Sequence, residues 1–376
     1  MKKICFITAV PGTAHSFLRK HMEALREDYK VYYVCNEPDE SKILVSHDGY
    51  RCVDIHRSIS LVNDLKAVLT LYKYFKAEKF DIVHSVTPKA GLVTAIAGWL
   101  ARVPRRIHIF TGQVWATKKG FMRTMLKWLD KLIAMLNTNL LVDGEGQRQF
   151  LIHEGVLKDA NSCVLANGSI TGVELDKFVT SDDIRLCERN KFGFTEDDVV
   201  YVFLGRLNHD KGIGEIYSAF DKLVSEYGNA KLILYGSDEE GYDQQVEGYS
   251  NIKRGENYFY PGRTSQPFEA LQVADVFVIP TWREGFGMSI IEAQGLGLPV
   301  ITSDAYGVVD ASVEGETGLR CKVGDVDSLY ESMVVYHNNP VMRKEHGLAG
   351  RKRVEELFDN KVVTQAWVEY YKMLFN

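Results

Sequence analysis

Short runs of β-branched and aromatic residues alternate along this chain with segments whose apolar positions recur every three to four residues. That is the pattern of parallel strands joined by helical crossovers. In the front half it predicts strands at 3–8, 30–35, 51–55, 81–85, 106–110, 139–143 and 163–166. Helices fall between them. One, at 17–27, places Phe17, Leu18, Met22 and Leu25 on one face; another, at 60–79, does the same with Leu61, Leu65, Val68, Leu69 and Tyr72. The pattern then restarts, with strands at 199–204, 231–235, 275–279 and 299–302 and helices near 213–227, 287–296 and 325–336. Residues 167–178 have no period and read as a hinge. The expected division is a Rossmann-like domain over 1–177, a second over 178–358, and a tail helix over 359–376. The tail has Val363, Trp367, Tyr370, Tyr371 and Leu374 to bury and no obvious neighbour in the second sheet.

Bulk properties narrow this picture. A chain of 376 residues is too long for one ordinary core, and 45% hydrophobic with 25% charged residues describes a soluble globular protein. The six cysteines show no C-x-x-C or metal-ligand spacing, which points to reduced thiols in the cytoplasm. Lys2 and Lys3 precede an apolar run at 4–10, but Pro11-Gly12 cuts it off, so a first strand is expected rather than a signal peptide. No run reaches the roughly 18 apolar residues of a membrane span. Residues 1–177 hold 25 Lys and Arg against 18 Asp and Glu, and the remainder 20 against 32. The front half therefore either faces an anionic surface or substrate, or carries ordinary drift in solvated charge. No nucleic-acid partner is expected.

Three features of the second half carry chemistry. Gly205-Arg206 follows a strand directly, with Lys211-Gly212 behind it, at the carboxyl end where doubly wound sheets bind ligands. Glycine admits a phosphate to the backbone, and Arg206 and Lys211 offer a fork and a point charge; the plain alternative is a solvated basic turn. The string Pro280 to Gly287 also follows a strand and opens a helix, so Gly285 and Gly287 leave amides at an anion-binding helix start. Glu284, at the same mouth, either grips sugar hydroxyls and growing positive charge or simply caps the helix. Glu292, eight residues on, either binds a ribose diol or faces solvent.

Together these residues make a stronger pattern. The string EGFGMSIIEAQGLGLPVITSD (284–304), with GRLNHDKG (205–212) ahead of it, closely resembles family four of the glycosyltransferases, those of GT-B fold. Further matches are FDIVHSVTPKAG (80–91), NGSITGVELDKF (167–178), ADVFVIPTWREG (274–285) and GVVDASVEGETGL (307–319). The resemblance implies an α/β protein of two Rossmann-like parallel-sheet domains facing across a cleft, with the tail helix crossing back to the first. It implies retaining transfer from a nucleotide-diphosphate sugar, uridine being the expected base, with no metal and no cofactor. Arg206 and Lys211 would neutralise the leaving diphosphate. Glu284 and the amides of Gly285, Phe286, Gly287 and Met288 would hold the donor sugar and phosphate, and Glu292 the ribose. Gly205, and Gly12 in the loop after the first strand, would lie near the phosphates, and the first domain would carry the acceptor.

One position departs from the family pattern. Many relatives carry a T-x-H-G histidine after the fifth strand, where this chain has Thr111. No general-base histidine is expected there, which fits a donor phosphate that takes the acceptor proton itself. His84 and His108 flank the region and read as structural.

Similar sequences belong to bacterial capsule, O-antigen, lipopolysaccharide and protein-glycosylation enzymes, which implies an undecaprenyl-diphosphate-linked or free glycan acceptor. Helix 118–136 bears on this. Lys119, Arg123, Lys127 and Lys131 recur along it beside Phe121, Met122, Met125, Leu126, Trp128 and Leu129. It is either an ordinary sheet-packed helix with a solvated basic edge or a membrane-surface helix, which would make a cytoplasmic protein peripheral on the inner face of the membrane. Two rivals share the fold: a non-catalytic sugar-nucleotide-binding scaffold and a nucleotide-sugar 2-epimerase. A dehydrogenase is disfavoured, because Pro11-Gly12-Thr13 stands where G-x-G-x-x-G would follow strand one.

Overall fold

The computed structural model describes residues 1–56 and 60–375. The chain divides into two compact units, Met1–Thr171 with Asn360–Asn376, and Gly172–Asp359.

The first unit runs β1 (Lys3–Ile7), α1 (Pro11–Phe17), α2 (Arg19–Leu25), β2 (Lys30–Cys35), β3 (Gly49–Cys52), α3 (Leu61–Glu78), β4 (Ile82–Val86), α4 (Pro88–Ala101), β5 (Arg105–Phe110), α5 (Gly120–Leu136), β6 (Asn139–Val142), α6 (Glu145–His153) and β7 (Ser162–Val164). Its seven strands are parallel, in the order β3-β2-β1-β4-β5-β6-β7. Both faces of a parallel sheet must be covered, and near-continuous apolar strands such as Ile4 to Ile7 reflect that.

The second unit runs α7 (Asp182–Phe192), β8 (Val199–Leu204), α8 (Ile213–Glu226), β9 (Ala230–Tyr235), α9 (Tyr242–Gln245), β10 (Tyr258–Gly262), α10 (Pro267–Ala270), β11 (Val276–Ile279), α11 (Met288–Gly295), β12 (Val300–Ser303), β13 (Gly318–Cys321), α12 (Val326–Asn338) and α13 (Pro340–Leu357). Its strands are also parallel, in the order β10-β9-β8-β11-β12-β13. A last helix, α14 (Asn360–Phe375), returns to the first unit.

That return is anchored by aromatic stacking. Trp367 lies fully buried between two histidines, with ring centroids 4.5 Å from His21 and 5.2 Å from His84. His84 Nδ1 pairs with the Tyr371 hydroxyl at 2.6 Å, and His21 pairs with Thr364 at 3.0 Å and with the Ile170 carbonyl at 2.8 Å. Val363, Tyr370, Tyr371 and Leu374 are buried alongside. The neighbour missing from the second sheet is thus α2 and the sheet of the first unit.

The structure corrects several expectations. The helix at 17–27 is two short helices that meet at Leu18, which is itself buried with Met22 and Leu25. Gly12 is not in a loop but in the first turn of α1. The face of α3 is shifted, with Val68 common to the expected and the buried stripes. Ala67, Val68, Leu71, Tyr74 and Phe75 are buried, while Leu61, Leu65 and Leu69 point to solvent. The two large aromatics decide this, since they bury more area than the leucines they displace. Strands β10 and β13 were not expected; each is short, and β13 begins at a glycine.

Candidate active site

The loops after β8, β9, β11 and β12 meet at the carboxyl ends of the strands of the second sheet, and glycines allow it. A Cβ on Gly236 would stand 1.6 Å from the Gly205 carbonyl oxygen, and one on Gly307 would stand 1.9 Å from that of Glu284. Neither approach tolerates a side chain. Side chains then fasten the β8 loop to the β11 loop. The Asp210 carbonyl accepts hydrogen bonds from the Thr281 hydroxyl and the Trp282 amide, both at 2.8 Å. Its carboxylate takes a bond at 2.8 Å from Arg283 Nε, and the Trp282 indole donates to Glu215 at 2.9 Å.

Within this frame the Lys211 ammonium pairs with the Glu284 carboxylate, and both are largely shielded. Glu284 is therefore not a helix cap. The N-cap of α11 is Gly287, which has no side chain to offer. Among the described residues the amides of Gly285, Phe286 and Gly287 donate to no protein acceptor. They stand at the positive end of α11, an arrangement that favours an anion. Phe286 is buried against Phe358, which holds this turn from the apolar side, and Met288 begins the helix half-buried.

Glu292 lies in α11, half-buried and without a hydrogen-bond or ion-pair partner among the described residues. Desolvation pushes its carboxyl up to about 7. An acid largely shielded from water without a partner is costly, and such groups concentrate at functional sites.

Arg206 behaves differently from Lys211. It is exposed and bonds Glu239 at 3.0 Å, while Asn208 donates to the same carboxylate at 2.9 Å. The structure thus brings Lys211, Glu284 and the 285–287 amides together, and turns Arg206 toward the loop after β9.

Three contributors escaped sequence reasoning. Asp210 looks like a turn residue inside NHDKG, Gly307 like an ordinary loop glycine, and Glu239 like part of a solvated acidic run. The acidic run at the end of a strand was the available signal for Glu239; only coordinates show Asp210 and Gly307 bridging loops.

In the first unit Thr111 follows β5, half-buried. His84 and His108 are fully buried, and His108 pairs with the Ser85 hydroxyl at 2.9 Å. Desolvation holds His108 down to about 3, and His84 well below the usual histidine range. Both imidazoles are therefore uncharged near neutral pH and only weak proton acceptors. Among the described residues no group of three or more His, Cys, Asp or Glu side chains converges as metal ligands, and no helix is long and apolar enough to cross a membrane.

The glycosyl transferase 4-like domain model matches residues 12–168, and the model for glycosyl transferases group 1 matches residues 185–353. The capsular polysaccharide biosynthesis glycosyltransferase CapM of Staphylococcus aureus is 32% identical over 95% of this chain and 92% of its own. The chain belongs to the group 1 glycosyltransferases. This glycosyltransferase is also similar to the UDP-Gal:alpha-D-GlcNAc-diphosphoundecaprenol alpha-1,3-galactosyltransferase of Escherichia coli, at 28% identity over 90% of this chain and 89% of that one. Anabaena Alr3699/HepE, solved with UDP and glucose, superposes at a TM-score of 0.81 with 17% identity over 99% of this chain and 100% of its own. That likeness establishes the fold: the glycosyltransferase is of the GT-B class, built on two Rossmann-like parallel sheets.

Proposed function

We propose that this glycosyltransferase moves a hexose or N-acetylhexosamine from a UDP-sugar to a lipid-linked saccharide, with retention at the anomeric carbon and without a metal ion. The observation that carries the proposal is the cluster of Lys211, Glu284 and three unbonded amides at the start of α11. In this reading the amides and Lys211 take the donor diphosphate, and Arg206 leaves Glu239 to join them. Glu284 exchanges its lysine contact for hydroxyls of the donor sugar, and the unpartnered Glu292 accepts the ribose diol. As the bond from the anomeric carbon to the diphosphate oxygen breaks, negative charge grows on that oxygen, and the cations and amides are preorganised to stabilise it. The acceptor hydroxyl bonds to the same face of the sugar, and its proton passes to the departing phosphate oxygen. No protein base is required, in keeping with Thr111 at the position of the family's histidine.

Uridine and a lipid diphosphate acceptor are supported by the substrates for which the Escherichia coli relative is named and by the UDP bound in Anabaena HepE. Such an acceptor is membrane-anchored, so we also place the enzyme on the cytoplasmic face of the membrane. Thermal stabilisation by a panel of UDP- and GDP-sugars tests the donor. Transfer to an undecaprenyl-diphosphate sugar, with the product anomer read by NMR and EDTA present, tests the rest. An inverted anomer or loss of turnover in EDTA would overturn the corresponding part, and release of a free epimer without acceptor would replace transfer by epimerisation.

A further inference from the structure

Strand β3 is an edge of the first sheet, and its last residue is Cys52. The last residue of β2 is Cys35, and the parallel register sets Tyr33 against Tyr50 and Cys35 against Cys52. Residues paired in this way leave the sheet on the same face, and faces alternate along each strand. The tyrosines identify the face. Their ring centroids lie 6.0 Å apart, and both pack with Val31, Val45 and Cys35. Cys52, two residues beyond Tyr50, therefore projects on the same side as Cys35. Neighbouring strands lie about 4.8 Å apart, inside the roughly 4.4–6.8 Å that separates the Cα atoms of a disulfide.

The two thiols differ in surroundings. Cys35 is fully buried, and its Sγ lies 3.4 Å from the Tyr50 hydroxyl. Tyr50 donates its own proton to the Glu37 carbonyl, which leaves the Cys35 thiol as the donor of that contact. Burial pushes the Cys35 thiol up, so it stays protonated near neutral pH. Cys52 is exposed. The other cysteines of the first unit do not compete for it. Cys5 lies on β1, two strands away, and packs with Ile7 and Val34 on the opposite face. Cys163 lies on β7, the far edge of the sheet.

We propose that Cys35 and Cys52 are a site of reversible oxidation, at which a hydroperoxide joins them in a disulfide that ties β3 to β2. The exposed Cys52 reacts first. Its sulfur attacks a peroxide oxygen, an S–O bond forms and the O–O bond breaks, and the displaced hydroxide leaves as water with the thiol proton. The Cys35 sulfur then attacks the sulfur of the Cys52 sulfenic acid. An S–S bond forms, the S–O bond breaks, and the departing hydroxide takes the Cys35 proton as a second water. Two thiols have given up two electrons, and one hydrogen peroxide has become two waters. A dithiol reverses the bond by exchange. In a reducing compartment a disulfide of this kind is transient and signals oxidation.

Its place in the fold gives the bond a consequence. Residues 36–48 leave the carboxyl end of β2, the end at which doubly wound sheets carry ligands, and the Leu44 amide donates to His15 Nε2 of α1 at 3.0 Å. Joining Cys35 to Cys52 fixes both ends of this segment and removes freedom from the unfolded chain. The inference holds whichever sugar and acceptor the enzyme uses.

The test is to treat the full chain with hydrogen peroxide, quench with catalase, alkylate in denaturant and map the peptides by mass spectrometry. A linked Cys35 and Cys52 pair that dithiothreitol separates is expected, with a melting temperature raised by about 5 °C. C52S should melt as the reduced wild type does and lose both effects. C35S should leave Cys52 as a sulfenic acid that dimedone traps, a species the wild type passes on to the linkage. A wild type that keeps both thiols would overturn the proposal. So would one in which Cys52 goes to a sulfinic acid or joins two chains while Cys35 is still alkylated. A linked form that melts at or below the reduced protein would overturn it too, since the bond would then distort the strands it is said to tie.

Discussion

In the first unit three histidines lie buried within the core; in the second, the notable ionisable groups gather at the carboxyl ends of the strands. His21, His84 and His108 are neutral, stacked or hydrogen-bonded, and burial holds all three below the usual histidine range, His21 at about 4. The carboxyl ends of the second sheet's strands hold Lys211 against Glu284 and Arg283 against Asp210, with Glu292 nearby lacking a partner among the described residues. The first arrangement lends cohesion, because each ring completes a packing or hydrogen-bond contact. The second leaves capacity for a ligand, because unbonded amides and an unpartnered acid are uncomfortable until something arrives.

The comparison breaks most visibly if the histidine stack is emptied. Trp367→Ala removes the ring between His21 and His84 and is expected to cost about 3–5 kcal/mol in the first unit. Limited proteolysis should then release α14 first, with the second unit still stabilised by UDP; simultaneous melting of both units would mean that the tail is not a separate anchor. Next in size are Lys211→Ala and Glu284→Ala, each expected to lower turnover about a hundredfold to a thousandfold. Near-normal turnover in either would remove that residue from the reaction.

Protons sharpen the contrast, because the buried histidines of the first unit and Glu292 of the second respond with opposite sign. A histidine held low in the folded state contributes stability that is intact above about 6.5 and lost as pH falls toward about 4 for His21 and about 3 for His108. His337 and His346 of the second unit shift in the same direction from sites nearer the surface. Glu292 runs the other way. Its carboxyl rises from 4.5 to about 7, so its cost is absent below the unfolded value and complete above the folded one. Glu292→Gln is therefore expected to raise the melting temperature of the unliganded protein by about 3 °C at pH 8 and to leave it unchanged near pH 4.5. The same change should weaken UDP binding. A gain that persists at low pH would assign the effect to packing rather than charge.

Much of this was legible without coordinates where one residue type does one thing. The alternation of apolar runs located eleven of the thirteen strands among the described residues, because parallel strands buried on both faces leave a strong local mark. The E-x7-E spacing placed Glu284 and Glu292 on the loop and helix they occupy. The pattern failed where two faces of a helix compete. On α3 the leucines at 61, 65 and 69 form as good a stripe as Val68, Leu71 and Phe75, and only the sheet beneath chooses. On α5 Arg123 and Lys127 look solvated until Glu154, 31 and 27 residues further on, draws them in. Long-range pairing of charges leaves no periodic trace, and for the same reason the partner of Arg206 was out of reach.

That partner supplies the finest test. Glu239 holds Arg206 in an exposed pair, and exposed pairs contribute about 0–1 kcal/mol. If Glu239 competes with the donor diphosphate for the guanidinium, Glu239→Gln should tighten UDP binding up to about fivefold, with the gain shrinking in high salt. If Glu239 instead orders the β8 loop through Asn208, to which it is bonded at 2.9 Å, the same change should weaken binding, and Asn208→Ala should weaken it alike. Calorimetric titration of both variants separates the two. Tightening in Glu239→Gln alone would mean that the strand ends of the second sheet, unlike the core of the first, have pairs that a ligand is meant to break.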